Sequence, residues 1–469
     1  MKGRLHNFFS PSNIAVVGAS TKNAWFAQMV ENAERAGFKG RFFPVNPGAD
    51  EVCGIPAVHS IAQLPEDIID FAAVIVKSSA ALAILEALAG KGIKNILLIS
   101  GGFADAAAEG SRLQDDLNAL CRRKDILLLG PNCLGFINIG CRVSVFAGAA
   151  VQGDLVPGTI GIFGQSGATT EVIATKVMKK GLGVSLFVTT GNEAVLTSED
   201  CLEYMIESQT TRVIIGFLEG FRDVSRIRQI ALDAALRKIP IILIKVGQSE
   251  KGKQAARSHT GALAGNDLMI DGFFRQCGII RVDTIEELVE TAGILSKCPL
   301  PSGGRVGIST MSGGLGGLYA DLCARLSIEL PNFSPKTIAS LKKLLPDFAQ
   351  PANPLDVTGS GFRSGMDKII KILLDDEHID ILLPISFPPV SETEEFVPGF
   401  NESFMPLIHS AGKPIIPITF REVNDYARKY YRDHNAYFIE HAEDGFKAVS
   451  HLIEYANFQK RFRRTQEKT

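Results

Sequence analysis

The sequence predicts an α/β protein built from three doubly wound domains. Short β-branched runs alternate with helix-length amphipathic segments along the whole chain, which is the pattern of parallel sheets with crossover helices. Two junctions rich in proline and glycine, Val156-Pro157-Gly158 and Pro299 to Gly304, are each followed by a new strand and helix. A chain of 469 residues also has room for roughly three domains of ordinary size.

These junctions place the domains at residues 1–152, 153–298 and 299–469. The first block predicts parallel strands at Ile14 to Val17, Arg41 to Pro44, Phe71 to Val76, Asn95 to Ile99 and Ile126 to Leu129. The second and third blocks open alike, because Thr159 to Phe163 and Arg305 to Ser309 are both strands followed by a tight turn and a helical pattern.

The composition excludes several classes of protein. Apolar residues make up 46% of the chain, charged residues 21%, and the formal net charge is −2, which is typical of a globular protein that does not bind nucleic acid. The eight cysteines form no CxxC pair and no Cys/His spacing that suits zinc, so we expect a reducing compartment and no metal site. Strand-length apolar runs and a start without a signal segment favour a cytoplasmic protein without membrane contact.

Two turns are of a kind that binds anions. Gly164 to Gly167 and Met311 to Gly314 each connect a strand to a helix and contain a Ser-Gly pair. Backbone N–H groups at such a helix start, together with the positive end of the helix dipole, attract an anion. A tight connection without any ligand explains either turn alone equally well.

One histidine stands in a loop of small residues after a buried strand. His259 lies within Ser258 to Gly265, downstream of the strand predicted at Ile239 to Val246. In open α/β sheets the crevice beyond the carboxyl ends of the strands is where ligands bind. A neutral imidazole nitrogen there can accept a phosphoryl group and pass it on. The simpler alternative is a loop histidine with a local hydrogen bond.

Several motifs follow one another in a collinear order along nearly the whole chain. They are Val17 to Ser20, Pro44 to Pro47, Gly130 to Gly135, Gln165 to Ala168, Gly191-Asn192, Leu218 to Gly220, Ser258 to Gly265 and Asn353 to Gly359. In this order the chain resembles the alpha subunit of the ADP-forming acyl-CoA synthetases, relatives of succinyl-CoA synthetase. The resemblance implies a Rossmann-like CoA-binding domain followed by two flavodoxin-like domains.

The resemblance also implies an acid–CoA ligase that works through a phosphohistidine. In such enzymes acyl-CoA and phosphate give an acyl phosphate and free CoA, the acyl phosphate phosphorylates a histidine, and the histidine passes the phosphoryl group to ADP. His259 matches that histidine, and Glu219 matches the carboxylate that holds its ring. Such a carboxylate fixes the imidazole tautomer and raises the basicity of the other nitrogen. The alternative for Glu219 is a helix cap or a surface ion pair.

The same resemblance assigns phosphate and CoA contacts residue by residue. The phosphate-binding residues that it implies, at two facing helix starts, are Gln165, Ser166, Gly167, Ala168, Ser312, Gly313 and Gly314. The CoA-binding residues that it implies are Gly18, Ala19, Ser20, Val45, Asn46, Pro47, Lys77, Ser78, Asn132 and Cys133. Cys133 is interpreted as a small buried residue rather than a nucleophile. Two segments depart from the family pattern, Asn23 to Ala27 after the first turn and Gly191 to Ala194.

Nucleotide chemistry is expected on another polypeptide, since no ATP-grasp pattern stands in this sequence. The resemblance implies an ATP-grasp beta subunit that binds ADP or ATP with Mg²⁺ and forms an α2β2 assembly with this chain. CoA and phosphate are the ligands expected here, and the substrate class is a small carboxylic acid or its acyl-CoA.

Three other functions compete with this one. Gly247 to Gln254 comes near a P-loop, but Gln254 stands where Ser or Thr must hold Mg²⁺. Gly18 to Ser20 after a strand suggests a nicotinamide dehydrogenase, but the G-x-G-x-x-G fingerprint is incomplete and Asn46 stands where an acidic residue is needed. A non-catalytic or regulatory CoA-binding protein of the same fold is the remaining alternative, and the paired carboxylate and histidine argue against it.

Overall fold

The computed structural model describes residues 2–22, 24–106, 108–149, 155–252, 254, 267–394 and 398–467. His259 and its small-residue loop lie outside the described residues. The chain divides into two compact units, Met1–Asp283 and Thr284–Thr469, and each has its own sheets. The three domains proposed from the sequence, 1–152, 153–298 and 299–469, stay a prediction as to their boundaries.

The first sheet of the first unit has five parallel strands in the order β2-β1-β3-β4-β5. The strands are β1 (Asn13–Val17), β2 (Arg41–Val45), β3 (Phe71–Val74), β4 (Asn95–Leu98) and β5 (Leu127–Leu129). A short antiparallel hairpin of Glu51–Val52 and Ile55–Pro56 follows β2. All five predicted strands are confirmed to within two residues. Central strands of a parallel sheet are covered on both faces, so they appear in the sequence as continuous apolar runs.

The second sheet has seven strands in the order β12-β11-β10-β8-β9-β6-β7. They are β6 (Gly135–Asn138), β7 (Val143–Phe146), β8 (Pro157–Gly164), β9 (Val184–Thr189), β10 (Val213–Leu218), β11 (Ile241–Lys245) and β12 (Ile280–Val282). Strands β8 to β12 are parallel, whereas the hairpin β6–β7 joins β9 in the antiparallel sense. The sequence does not predict this hairpin, because every residue of its two strands is buried and no alternation marks it as a strand pair.

Helices cover the two sheets of the first unit. They are α1 (Lys2–Phe9), α2 (Trp25–Ala36), α3 (Ser78–Gly90), α4 (Ala108–Lys124), α5 (Gly167–Lys179), α6 (Ser198–Glu207), α7 (Val224–Leu236) and α8 (Asp267–Cys277). Their ends follow local chemistry: Thr197 and Asp200 form a capping box at the start of α6, and Gly37 ends α2 in the left-handed conformation.

The second unit has a four-stranded parallel sheet in the order β14-β13-β15-β16. The strands are β13 (Val306–Thr310), β14 (Leu355–Asp356), β15 (Ile381–Ser386) and β16 (Ile418–Thr419). The helices are α9 (Ile285–Lys297), α10 (Gly313–Arg325), α11 (Pro335–Leu341), α12 (Thr358–Leu374), α13 (Pro398–Ser410), α14 (Asp425–Asp433) and α15 (Ala442–Gln466). The predicted opening of this block is confirmed as β13 followed by α10.

Candidate active site

The first strand of the first sheet ends in a turn that only glycine fits. Gly18 has φ +85°, and a Cβ there would lie 2.2 Å from the carbonyl oxygen of Ile75. Asn46 Nδ2 donates to the carbonyl oxygen of Ala19 at 2.7 Å, which ties the end of β1 to the end of β2. The structure thus brings six of the predicted CoA residues to one sheet edge: Gly18, Ala19, Ser20, Val45, Asn46 and Pro47.

The third strand leads to a helix start at the same edge. Val74 of β3 is paired with Val17 of β1, and the N–H of Ile75 donates to the carbonyl oxygen of Val17 at 2.8 Å. Lys77 is the N-cap of α3, and Ser78 is its first residue. Lys77 is exposed, so an ammonium group stands beside open helical N–H groups, which is a favourable place for a phosphate of CoA.

The loop after β5 carries the last two predicted CoA residues. The N–H of Asn132 donates to the carbonyl oxygen of Ser100 at 3.0 Å. Cys133 is buried with its Sγ 3.7 Å from the carbonyl oxygen of Leu98, and burial raises the pKa of this thiol to about 12. The thiol is therefore protonated at neutral pH, which agrees with a packing role rather than a nucleophilic one.

Asn192 connects that loop to the second sheet, and the sequence pattern did not single it out as a contact residue. Its N–H donates to the carbonyl oxygen of Pro131 at 2.9 Å, and its Oδ1 accepts from Asn132 Nδ2 at 3.2 Å. Its Nδ2 donates to Asp105 Oδ1 at 2.7 Å. Its carbonyl oxygen accepts from Arg222 Nη2 at 2.7 Å. With Asn192 only 2% exposed, these bonds fix three loops to one another.

The turn after β8 stands directly against the same loop. Ser166 is the N-cap of α5, and Gly167 and Ala168 follow it, so the first N–H groups of the helix have no acceptor within the helix. A Cβ on Gly167 would lie 3.0 Å from Leu134 Cγ, which measures how closely the turn packs on the segment after Cys133. The open N–H groups therefore lie next to the place predicted for the thiol end of CoA.

Gln165 acts differently from its predicted role as a phosphate-binding N–H donor. Its N–H donates to the carbonyl oxygen of Phe217 at 3.1 Å and is used within the sheet. Its side-chain Oε1 accepts the N–H groups of Glu219 at 2.6 Å and of Gly220 at 3.1 Å. Its Nε2 donates to the carbonyl oxygen of Gly220 at 2.8 Å. Gln165 therefore holds the turn that carries Glu219.

Glu219 follows the last residue of β10 and is 6% exposed. Its Oε2 atom is buried and has no hydrogen-bond partner within the described residues. A buried acceptor without a donor costs roughly 1–3 kcal/mol, and more when it is charged. The helix-cap alternative is not observed, because α7 is capped by Asp223, which accepts from the N–H of Arg226. The contact with His259 stays a prediction, since that residue lies outside the described ranges.

Two further buried carboxylates flank this turn. Glu199 Oε1 accepts the N–H of Arg222 at 2.9 Å, and Arg222 Nε lies 3.7 Å from Glu193 Oε2. Burial raises the pKa of Glu193, and the charge of Glu199 raises it further, against the hydrogen bonds that Ser198 and Thr190 donate to it. The two contacts of Arg222 join residues far apart in the chain, so no local pattern signals them.

Lys245, the last residue of β11, is a buried cation at the same edge. It is 4% exposed, and its Nζ donates to the carbonyl oxygen of Val246 at 2.6 Å. Burial lowers the pKa of this ammonium group, the charge of Arg281 lowers it further, and the charges of Asp267 and Glu219 oppose both. The sequence shows Lys245 only as the end of an apolar strand.

The second unit contains the other predicted anion-binding turn. Ser312 is the N-cap of α10, and its Oγ accepts the N–H of Leu315 at 3.4 Å. A Cβ on Gly313 would lie 3.4 Å from Asp356 Oδ2, so a carboxylate stands beside this helix start. Ser312, Gly313 and Gly314 therefore form the start of α10 as expected, while their facing the first turn stays a prediction.

The described ranges give two further results. No group of three or more His, Cys, Asp or Glu residues in them is placed to hold a metal ion. None of the helices in them combines the length and apolar character that spanning a bilayer requires.

Three family models match the chain in the order of its sheets. A CoA binding domain matches residues 12–139, a succinyl-CoA ligase like flavodoxin domain matches 157–295, and a ligase-CoA domain matches 306–390. The acetate–CoA ligase [ADP-forming] II subunit alpha of Pyrococcus furiosus is 31% identical over 461 residues, which cover 96% of this chain and 98% of that subunit. The chain belongs to the ADP-forming acetate–CoA ligase family. The predicted family, fold class and enzyme class, an acid–thiol ligase, are thereby confirmed.

Two other members of the ADP-forming acetate–CoA ligase family are longer. The acetate–CoA ligase [ADP-forming] I of Archaeoglobus fulgidus is 34% identical over 82% of this chain and 55% of that protein. The acetate–CoA ligase [ADP-forming] of Methanocaldococcus jannaschii is 35% identical over 74% of this chain and 48% of that protein. The chain thus spans about half the length of these two relatives.

A solved structure resembles the fold over its whole length. The dinucleotide forming acetyl-coenzyme A synthetase 1 of Ca. Korarchaeum cryptofilum, in its apo form, has a TM-score of 0.84 and 27% identity, covering 98% of this chain and 99% of that one. A second structure of that protein, in complex with phosphate and ADP, has the same TM-score at 28% identity and covers 98% of each chain.

Proposed function

We propose that the chain is the alpha subunit of an NDP-forming acyl-CoA synthetase. It interconverts acyl-CoA, phosphate and ADP with a carboxylic acid, CoA and ATP, through an acyl phosphate and a phosphohistidine at His259. The observation that carries this proposal is Glu219, a buried carboxylate whose Oε2 has no partner within the described chain. It stands at the end of β10, beside the strand β11 that leads towards the histidine loop.

The reaction has three steps that balance without a redox change. A phosphate oxygen attacks the thioester carbonyl carbon, the C–S bond breaks, and CoA leaves as the thiolate. The neutral imidazole nitrogen of His259 then attacks phosphorus, the P–O bond to the acyl oxygen breaks, and the carboxylate leaves. Finally an oxygen of ADP takes the phosphoryl group, the N–P bond breaks, and the neutral imidazole returns.

The geometry of the first unit supports the first step. The Gly18 turn and the start of α3 with Lys77 offer N–H groups and a cation to the phosphates of CoA. The loop of Asn132 and Cys133 packs on the turn before α5, so the thioester would lie beside the open N–H groups of Gly167 and Ala168. Donors fixed in advance stabilise the negative charge that develops during acyl and phosphoryl transfer.

Glu219 supports the second step. Its unpartnered oxygen can accept the N–H of one imidazole nitrogen, which leaves the other nitrogen neutral and nucleophilic. Gln165 fixes the backbone from which this carboxylate projects. The carboxylate then stabilises the positive charge that the ring acquires when its other nitrogen is phosphorylated.

The third step needs a partner, which we propose is an ATP-grasp beta subunit in an α2β2 assembly. The chain covers 98% of a relative named as a subunit alpha, which supports a partner subunit that carries the nucleotide-binding part. That subunit would bind ADP or ATP with Mg²⁺. A small carboxylic acid is the substrate, and the eight free cysteines fit the cytoplasm.

Reconstitution tests the proposal. The chain is incubated with acetyl-CoA, phosphate and ADP, with and without an ATP-grasp partner subunit, and free thiol and ATP are measured. We expect ATP only when both subunits are present, and CoA but not NAD to bind the chain in calorimetry. ATP formation by the chain alone would contradict the division of labour. CoA binding with no thiol release in any mixture would favour the non-catalytic CoA-binding protein instead.

A further inference from the structure

We propose that Lys245 is a phosphoryl-binding residue. Its ammonium group contacts the oxygens of the phosphoryl group while that group is carried on the enzyme. The identity of the anion rests on the proposed function. Neither the family models nor the relatives assign Lys245 a role. Four features of the structure lead to it: its place in the sheet, its burial, its unused donors and the charges around it.

Lys245 and Glu219 stand at neighbouring strand ends. Lys245 is paired with Leu218 in the parallel register of β11 and β10, and the N–H of Val246 donates to the carbonyl oxygen of Leu218 at 3.0 Å. Glu219 is the next residue after Leu218. Both residues therefore stand at the carboxyl ends of adjacent strands, the edge of α/β sheets where ligands bind, and the charge of Glu219 acts on Lys245.

The ammonium group of Lys245 has more donors than acceptors. It is 4% exposed, so water does not solvate it freely, and an ammonium group has three N–H donors. The carbonyl oxygen of Val246 is the acceptor that the structure records for it, and in the described part of the chain Lys245 forms no ion pair. Burying a cation without a counterion is costly, so such a residue is expected to have an anionic ligand.

The carboxylates near Lys245 do not supply that counterion. Asp267 acts on Lys245 at a distance but pairs with Arg281, whose Nη2 lies 2.7 Å from Asp267 Oδ1. The charge of Glu219 also acts on Lys245, but the two groups are beyond ion-pair distance, and Glu219 Oε2 has no hydrogen-bond donor within the described residues. A ligand that fits both groups must offer a donor to Glu219 and anionic oxygens to Lys245.

A phosphorylated imidazole has both properties. Its unmodified nitrogen offers an N–H group, and its phosphoryl oxygens carry the negative charge. A bare carboxylate would bring only charge and would be repelled by Glu219. Hydrogen phosphate keeps an O–H donor at neutral pH and can also meet both groups, so Lys245 and Glu219 together fit a phosphoryl group that has a donor beside it, either on the ring or free. Charge-assisted hydrogen bonds from a buried ammonium are the strong ones.

The test compares Lys245→Met, which removes the charge at similar length, with Lys245→Arg, which keeps it. Lys91→Met is the matched control, because Lys91 is also largely buried and donates to a backbone carbonyl, that of Leu64, away from that sheet edge. Three quantities are measured on the full chain of each variant: phosphoryl uptake from acetyl phosphate, CoA affinity and melting temperature. We expect Lys245→Met to need at least about tenfold more acetyl phosphate for half-maximal labelling, with CoA affinity unchanged and partial rescue by Lys245→Arg.

Equal labelling of the wild type and Lys245→Met would overturn the inference. So would parallel losses of labelling, CoA affinity and melting temperature in both Lys245 variants, since those indicate a structural role. If the wild type takes up no phosphoryl group, the proposed function fails separately, and Lys245 is judged by calorimetry with inorganic phosphate. Weaker phosphate binding by Lys245→Met alone then supports an anion site, and identical binding by all variants rejects it.

Discussion

The side chain of Gln165 holds the backbone of Glu219, with Oε1 accepting the N–H of Glu219 at 2.6 Å. The same oxygen accepts the N–H of Gly220, and Nε2 donates to the carbonyl oxygen of Gly220, so a single amide satisfies three backbone groups. The carboxylate that would orient the phosphorylated ring is therefore positioned by a side chain at the end of the neighbouring strand β8, rather than by its own loop.

Replacing Gln165 by Met is expected to slow phosphoryl uptake roughly 10–100-fold, because supporting hydrogen bonds of this kind contribute about that much to the groups they orient. CoA affinity stays as in the wild type, since the substitution leaves the turn at Gly18, where CoA is predicted to bind, unchanged. Rapid-quench labelling with acetyl phosphate measures the rate. Gln459→Met, which alters a buried glutamine of the second unit, is the control and keeps the wild-type rate. An equally fast Gln165→Met enzyme would show that the turn carrying Glu219 keeps its conformation without the hydrogen bonds of Gln165.

Replacing Glu219 by Gln is expected to reduce phosphoryl uptake roughly 10²–10⁴-fold, as loss of the ring-orienting carboxylate does in other histidine-dependent enzymes. The free energy of unfolding does not fall, because the variant removes a buried charge with an unpartnered oxygen. Urea denaturation and labelling are measured on the same preparation. A marked loss of stability with labelling intact would mean that Glu219 has a purely structural role.

Two glycines provide a test of the sheet edge at Gly18, where CoA is predicted to bind. Gly18 and Gly54 both have positive φ, +85° and +76°, but a Cβ on Gly18 would clash with the carbonyl oxygen of Ile75, whereas one on Gly54 meets nothing within 4 Å. We expect Gly18→Ala to cost roughly 3 kcal/mol of unfolding free energy and to abolish CoA binding. Gly54→Ala costs about 1–2 kcal/mol and leaves CoA binding intact. Similar costs for both would contradict the close approach at Gly18.

Burial alone lowers the pKa of His451, but the hydrogen bond with Glu287 of α9 and the contact with Glu454 outweigh it and raise the pKa to about 9. The folded value lies above the ordinary 6.5, so the stabilisation is complete below about pH 6.5 and is lost as the pH rises through about 9. It amounts to at most about 3 kcal/mol. The protection factors of the α15 amides, which correct hydrogen exchange for its intrinsic pH dependence, should fall over that range in the wild type but not in His451→Gln. An identical pH response in both would exclude this pair as the cause.

The strands and turns of this chain follow from local pattern. Continuous apolar runs indicate β1 to β5, and the Ser-Gly turns mark the starts of α5 and α10, because both signals lie within a few residues. The hairpin β6–β7 was missed because its strands are buried on both faces and its sheet partner β9 is some fifty residues away in sequence.

The contacts within the site follow from tertiary structure and could not be predicted in this way. Gln165 was expected to bind phosphate through its N–H, but the sheet uses that N–H and the side chain reaches across to Gly220. Asn192 joins three loops whose proximity depends on how two sheets pack. Lys245 looks like the polar end of a strand until its burial is known.

The most direct measurement is the position of the phosphoryl group on the chain after reaction with acetyl phosphate. Intact-mass analysis followed by peptide mapping under alkaline conditions locates it, because phosphohistidine is lost in acid. We expect one acid-labile phosphoryl group per chain, located on His259 and missing in His259→Asn. A stable adduct on another residue, or an unlabelled wild-type chain that still binds CoA, would contradict it.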